Sequence, residues 1–151
     1  MSAAQDRELR LLAEDEEDLR IISAYLQDAV VRVGDLAFLP KTRRFALLAN
    51  RYCWECDETA NDAALRKRTG LHFDTVRAVK SSGVQQSDPD AVVQLLAIRF
   101  TAEDGAAGVV DLCFAGGGCI RLEVEYIDAA LRDLDGPWPA QRRPVHDLGD
   151  S

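Results

Sequence analysis

The sequence predicts an α+β domain built on a curled antiparallel meander sheet of about seven strands, with one N-terminal and one C-terminal helix. The strongest sign is the run from Ala115 to Tyr126. Its glycines, Gly116, Gly117 and Gly118, feed a strand in which Ile120, Leu122, Val124 and Tyr126 share one face and Arg121, Glu123 and Glu125 the other. Such alternation describes a strand packed on one side and wet on the other, the habit of antiparallel sheet. A second sign is the series of short strand-like runs punctuated by turn residues at Pro40–Arg43, Ser87–Asp90 and Glu103–Gly105. A third is the lack of strand–helix–strand alternation, which counts against a doubly wound nucleotide fold.

Taken in order, Leu9 to Leu11 suggests a short first strand. A helix over Glu16–Gln27 follows, with Leu19, Ile22 and Leu26 at helical spacing and the acids of Glu14–Asp18 in its first turn, where the helix dipole favours negative charge. That placement outweighs a metal-binding reading of the acidic run. Ala29–Leu39 reads as a strand ending at Pro40, and Arg44–Glu55 as a long strand apolar on both faces, hence in the middle of the sheet or against a second layer. Residues 57–70, small and polar and then basic, read as an exposed excursion. Leu71–Lys80, Val92–Phe100, Val109–Phe114 and Ile120–Tyr126 complete the strands. The final helix is placed at Ile127–Leu134, because Ile127, Leu131 and Leu134 recur at helical spacing and Asp135-Gly136-Pro137 stops it. The tail, 138–151, reads as a partly docked extension.

The 151 residues, 47% apolar and 29% charged, suit one globular domain spanning 1–151. The net charge of −8 opposes nucleic-acid binding, which would need a segregated basic face. The start lacks the pattern of a signal peptide, and the longest apolar runs fall far short of the roughly 20 residues that span a bilayer. The chain is therefore expected in the cytoplasm, away from membranes, with its four cysteines as reduced thiols.

Chemistry-bearing residues are sparse. Cys53 and Cys56 have metal-knuckle spacing and could join Cys113 and Cys119 in a zinc site, but the first pair falls at the end of a strand, where residues three apart face opposite sides. The triple glycine leads into a strand and so serves a hairpin rather than a phosphate. His72, Arg121, Glu123 and Glu125 are weak candidates for a catalytic set; ordinary cross-strand pairing explains the last three. Lys41, Arg43, Arg44, Arg66, Lys67 and Arg68 are the best hint of an anion-binding patch. No cofactor motif is present. Asp28-Ala29-Val30-Val31 echoes Asp90-Ala91-Val92-Val93, by duplication or by chance.

Several stretches resemble a bacterial family of about this length catalogued only as a domain of unknown function. They are Leu26–Val31, Arg43–Glu55 with its Trp54-Glu55, Gly116–Glu125, and Asp133–Trp138 with Pro144 and His146. The resemblance spans nearly the whole chain but implies no activity, cofactor or catalytic residue. It also implies that Trp54-Glu55 is typical and the flanking cysteines are not. The expected function is thus a non-catalytic binding or interaction domain with a protein partner, itself or another chain. The alternatives are a small-ligand binder or enzyme using the sheet's concavity, and a zinc-stabilised module.

Overall fold

The structure, a computed structural model, describes residues 9–53, 65–134 and 138–139. In chain order the elements are β1 (Arg10–Ala13), α1 (Glu16–Tyr25), β2 (Val30–Leu39), β3 (Arg44–Tyr52), β4 (Leu65–Phe73), β5 (Val76–Ser82), β6 (Val92–Ala102), β7 (Gly108–Phe114), β8 (Cys119–Val124), β9 (Ala129–Asp133) and β10 (Trp138–Pro139). Every strand pair is antiparallel. The path runs β1-β9-β4-β3-β2-β6-β7-β8-β5, with β10 beside β4. No helix among the described residues is long and apolar enough to cross a membrane.

The core follows from two-residue periodicity. Phe45, Leu47 and Ala49 of β3, Leu71 and Phe73 of β4, Ala129 and Leu131 of β9, and Ile120, Leu122 and Val124 of β8 all turn inward and are buried. Helix α1 closes one side with Leu19 and Ile22, joined by Leu26 at its C-cap. Its entry is fixed by Asp15, whose carboxylate accepts the Asp18 N–H at 2.8 Å. The helix packs on β6, where the Ser23 hydroxyl oxygen accepts the Ile98 N–H at 2.9 Å beside a register shift between Leu95 and Ala97.

The centre of the path has a local two-fold character. Val31 of β2 stands opposite Val93 of β6. The Val33 N–H donates to Ala91 O and the Leu95 N–H to Ala29 O, both at 2.8 Å. The two echoing tetrapeptides thus occupy matching places on neighbouring strands. From there β3 and β4 fan out one way and β7 and β8 the other. Each half then sends its next strand across: β5 leaves β4 to pair with β8, and β9 leaves β8 to pair with β4. The crossings are stitched together, with Asp74 N–H donating to Asp128 O at 2.8 Å and Glu125 N–H to Thr75 O at 3.1 Å. Thr75 sits in the left-handed region (φ 62°), a strained place for a β-branched residue, and its hydroxyl donates to Tyr126 O at 2.8 Å.

Several expectations are corrected. The predicted C-terminal helix over Ile127–Leu134 is a strand, β9, because Ala129, Leu131 and Asp133 also fit a two-residue repeat and β1 and β4 supply hydrogen-bonding edges on both sides. The single predicted strand over Leu71–Lys80 is two strands broken at Asp74–Thr75. The predicted excursion over 57–70 ends early: 65–70 already belongs to β4, and 57–64 lies outside the described residues. The described strands number ten rather than about seven. Of the tail, Trp138–Pro139 pairs with Leu65–Arg66; the stop at 135–137 and residues 140–151 lie outside the described residues. Cys53 is disulfide-bonded rather than a reduced thiol, while Cys113 and Cys119 are free. The Gly116–Gly118 hairpin holds, as a 3-10 turn with Gly116 (φ 88°) and Gly117 (φ 97°) in the region that favours glycine.

Two glycines give opposite expectations. A Cβ on Gly108 would lie 2.4 Å from Thr101 O and 2.5 Å from the Phe100 ring, whereas one on Gly70 would meet nothing closer than 3.8 Å. In urea denaturation Gly108→Ala is expected to cost about 2–3 kcal/mol, and Gly70→Ala about 0.5 kcal/mol or less.

Candidate functional site

The sheet formed by β1, β9, β4 and β3 has two faces of different character. On the inner face the apolar rows end in charge. Arg51, Lys67, Thr69 and Asp133 are all buried. Arg51 grips Asp133 with two hydrogen bonds, Nε to Oδ1 at 3.0 Å and Nη2 to Oδ2 at 2.9 Å. The Thr69 hydroxyl donates to Oδ1 at 2.8 Å, the Leu9 N–H to Oδ2 at 3.0 Å, and Lys67 Nζ lies 3.6 Å from Oδ2. Burial alone would push the Asp133 carboxyl up. The Arg51, Thr69 and Leu9 hydrogen bonds and the Arg51 charge outweigh it and hold the group below the ordinary carboxylate range. With every carboxylate oxygen occupied from within, this cluster is a structural clamp joining β3, β4, β9 and the lead into β1.

The outer face carries a half-open trough of about 730 Å³. Strand register arranges it in two transverse rows. Ala46, His72, Ala130 and Leu12 form one, and Leu48, Gly70, Arg132 and Arg10 the other. Small residues (Ala46, Gly70, Ala130) make the floor. Leu48, Leu12 and Leu134 are the apolar walls, and Leu12 (73% exposed) and Leu134 (37%) are open to solvent. Arg10, Arg44, Arg132 and His72 supply the polar groups. Arg10 stands directly opposite Arg132 in the register of β1 and β9. Arg132 has no hydrogen bond or ion pair among the described residues. Arg44 is held by Asp74, Nε to Oδ1 at 2.8 Å and Nη2 to Oδ2 at 3.2 Å, and His72 Nε2 lies 3.6 Å from the same carboxylate. Burial first, then the Arg44 guanidinium, lower the His72 pKa against the opposing pull of Asp74 and Asp128. The imidazole is therefore biased toward its neutral form. A second hollow of about 350 Å³, between β2 and β5, has no charged lining residue.

Of the sequence-predicted residues, only His72 and Arg44 line the trough. The others are dispersed in separate ion pairs on the outer face of β8 and nearby. Arg121 Nε bonds Asp111 Oδ1 at 2.9 Å, Lys80 lies 3.6 Å from Glu123, and Arg43 pairs with Glu125. The basic residues do not converge either: Lys67 is buried at Asp133, Arg66 stacks 4.1 Å from the centre of the Tyr52 ring, and Lys41 is exposed on the β2–β3 turn. Cys53 closes the inner face of β3 in a disulfide, whereas Cys113 and Cys119 lie on β7 and β8. Cys56 and His146 lie outside the described residues. No group of three or more His, Cys, Asp or Glu among the described residues is placed to hold a metal. Sequence reasoning missed Arg10, Gly70, Ala130 and Arg132. The signal was the alternation through Ala129–Asp133, which competed with a helical repeat.

Two expectations follow from the electrostatics. Asp133→Asn leaves Arg51 buried without its counter-charge and should cost about 3–5 kcal/mol in chemical denaturation at pH 7. Because the folded-state pKa of Asp133 is depressed, its stabilisation is present above the unfolded value near 3.8 and is lost as pH falls through the lower folded value. The variant should lack that acid loss. By NMR, His72 should titrate below 6.5, and Arg44→Gln should move it upward, since a lowering charge is removed and Asp74 is left unopposed.

Comparison with known proteins adds one relationship. No curated protein matches the chain, and no solved structure does. Residues 9–146, which carry the clamp, the trough and every described strand, match a family model. The chain belongs to the family described as a protein of unknown function, DUF2948.

Proposed function

We propose that this chain is a non-catalytic binding domain that holds an acidic, apolar segment of a protein partner, another chain or a second copy of itself, in the outer trough. One observation carries the reading: Arg132, without a hydrogen bond or ion pair among the described residues, stands beside a floor of alanine and glycine walled by exposed leucines. A carboxylate supplies the counter-charge that Arg132 lacks, and apolar side chains fill the floor. The trough is open along the sheet face, whereas sites for small molecules bury most of the ligand. A polypeptide segment is the better fit. The outward charges of β8 are already neutralised in pairs, which supports binding over catalysis. The two free thiols support a cytoplasmic setting, and the disulfide at Cys53 is the observation against it.

The test is a fluorescence-anisotropy titration of the full chain with a labelled peptide of alternating leucine and glutamate, against a leucine–lysine control. The acidic peptide should bind and the basic one should not. Arg132→Glu should weaken binding about ten-fold or more, and Gly70→Leu, which fills the floor, should abolish it in a folded protein. Equal binding of both peptides, or no effect of either substitution, would sink the reading. Sedimentation of wild type against Arg132→Glu separates a second copy from a different partner.

A further inference from the structure

We propose that Cys113 and Cys119 form a dithiol that closes reversibly into a disulfide across the β7–β8 hairpin. The reading is independent of the trough. The two cysteines are direct cross-strand partners. The next pair toward the turn is hydrogen-bonded, Phe114 N–H donating to Gly118 O at 2.9 Å. Pairs alternate along an antiparallel ladder, so Cys113 and Cys119 occupy a non-hydrogen-bonded pair. There the Cα atoms approach to about 4.5 Å and side chains are closest, at the short end of the roughly 4.4–6.8 Å spanned by disulfides. Both side chains are on the outer face, both are partly exposed, and both thiols are free. The turn beyond them imposes little resistance to the small twist needed: Gly116 and Gly117 have open space where a side chain would stand.

The neighbours set the order of events. Burial, Asp111 and Cys113 push the Cys119 thiol up, and its Sγ lies 3.8 Å from Asp111 Oδ1, so it stays protonated and attacks slowly. The first attack falls to Cys113. Its thiolate attacks one sulfur of a low-molecular-weight disulfide such as oxidised glutathione, forming a mixed disulfide and releasing one thiolate. Cys119 then gives up its proton and attacks Cys113 Sγ, breaking the mixed disulfide and releasing the second thiolate. Two electrons pass from the pair to the oxidant, and the two cysteine protons end on the released thiols. A link across so short a loop constrains the unfolded chain little, and the tight strand spacing strains it, so the bond is readily reduced.

The experiment is to incubate the folded full chain with oxidised glutathione, quench with acid, alkylate, digest with trypsin and weigh the fragments. Cys113 and Cys119 fall in one peptide, Phe100–Arg121, separate from Cys53. That peptide should lose two hydrogens, resist alkylation at both positions, and return to the alkylated form after dithiothreitol. Cys119→Ser should accumulate a glutathione adduct on Cys113. In denaturing urea, where the register is lost, closure should be slower by about ten-fold or more. Independent glutathione adducts on both cysteines, untouched thiols at equilibrium, or equal closure rates with and without urea would each overturn the proposal.

Discussion

The buried carboxylate of Asp133 is the constraint on which the site-bearing half of the molecule depends. Strand β9 is five residues long and is paired on both sides, to β1 and to β4. Its terminal side chain gathers hydrogen bonds from Arg51 on β3, Thr69 on β4 and the Leu9 N–H, three segments far apart in sequence. Ionised groups are removed from water at high cost, so a partial set of these partners would be worse than an apolar alternative. The set is complete around the carboxylate. What the clamp provides is uniqueness: a register slip of one residue would turn Asp133 outward and Arg132 into the core.

The clamp and the trough are consequences of one another through the pleat. Residues 129, 131 and 133 face the core, so 130 and 132 must face out, and the same holds for 69 and 71 against 70 and 72. Placing Asp133 under Arg51 therefore sets Arg132 opposite Arg10, with Gly70 and Leu48 in the same transverse row. The inner face uses charge to complete a structure. On the outer face Arg132 has no hydrogen bond or ion pair among the described residues, and the proposed recognition of an acidic segment starts from that asymmetry. The histidine of the trough is pushed toward its neutral form by burial and by Arg44, and its carboxylate neighbour is already engaged by that arginine.

The exchange of strands between the two halves explains why a five-residue β9 is needed at all. Matching hairpins spread from the β2–β6 centre, and each is completed by a strand from the other half. The halves are joined at Asp74–Thr75 and Glu125–Asp128 by hydrogen bonds between the crossing segments. The core is continuous across the junction, with Val76 and Val124, buried partners on β5 and β8, adjoining Phe73 and Ala129 on β4 and β9.

By itself the sequence determined the local features whose physics is local. The dipole-matched start of α1, the positive-φ glycine turn between β7 and β8, and the inward set of Ile120, Leu122 and Val124 were all legible, because each depends on neighbours a few residues away. The character of Ala129–Asp133 was not. Its apolar residues satisfy a helical and a strand repeat alike, and the choice fell to hydrogen-bonding edges contributed by β4 and β1, more than fifty and a hundred residues earlier. Lys67 was hidden for the same reason, since a basic run looks solvated until a distant carboxylate is brought beneath it. Tertiary structure alone decided the trough, because cross-strand rows are assembled from register, and register between distant strands is a property of the whole sheet.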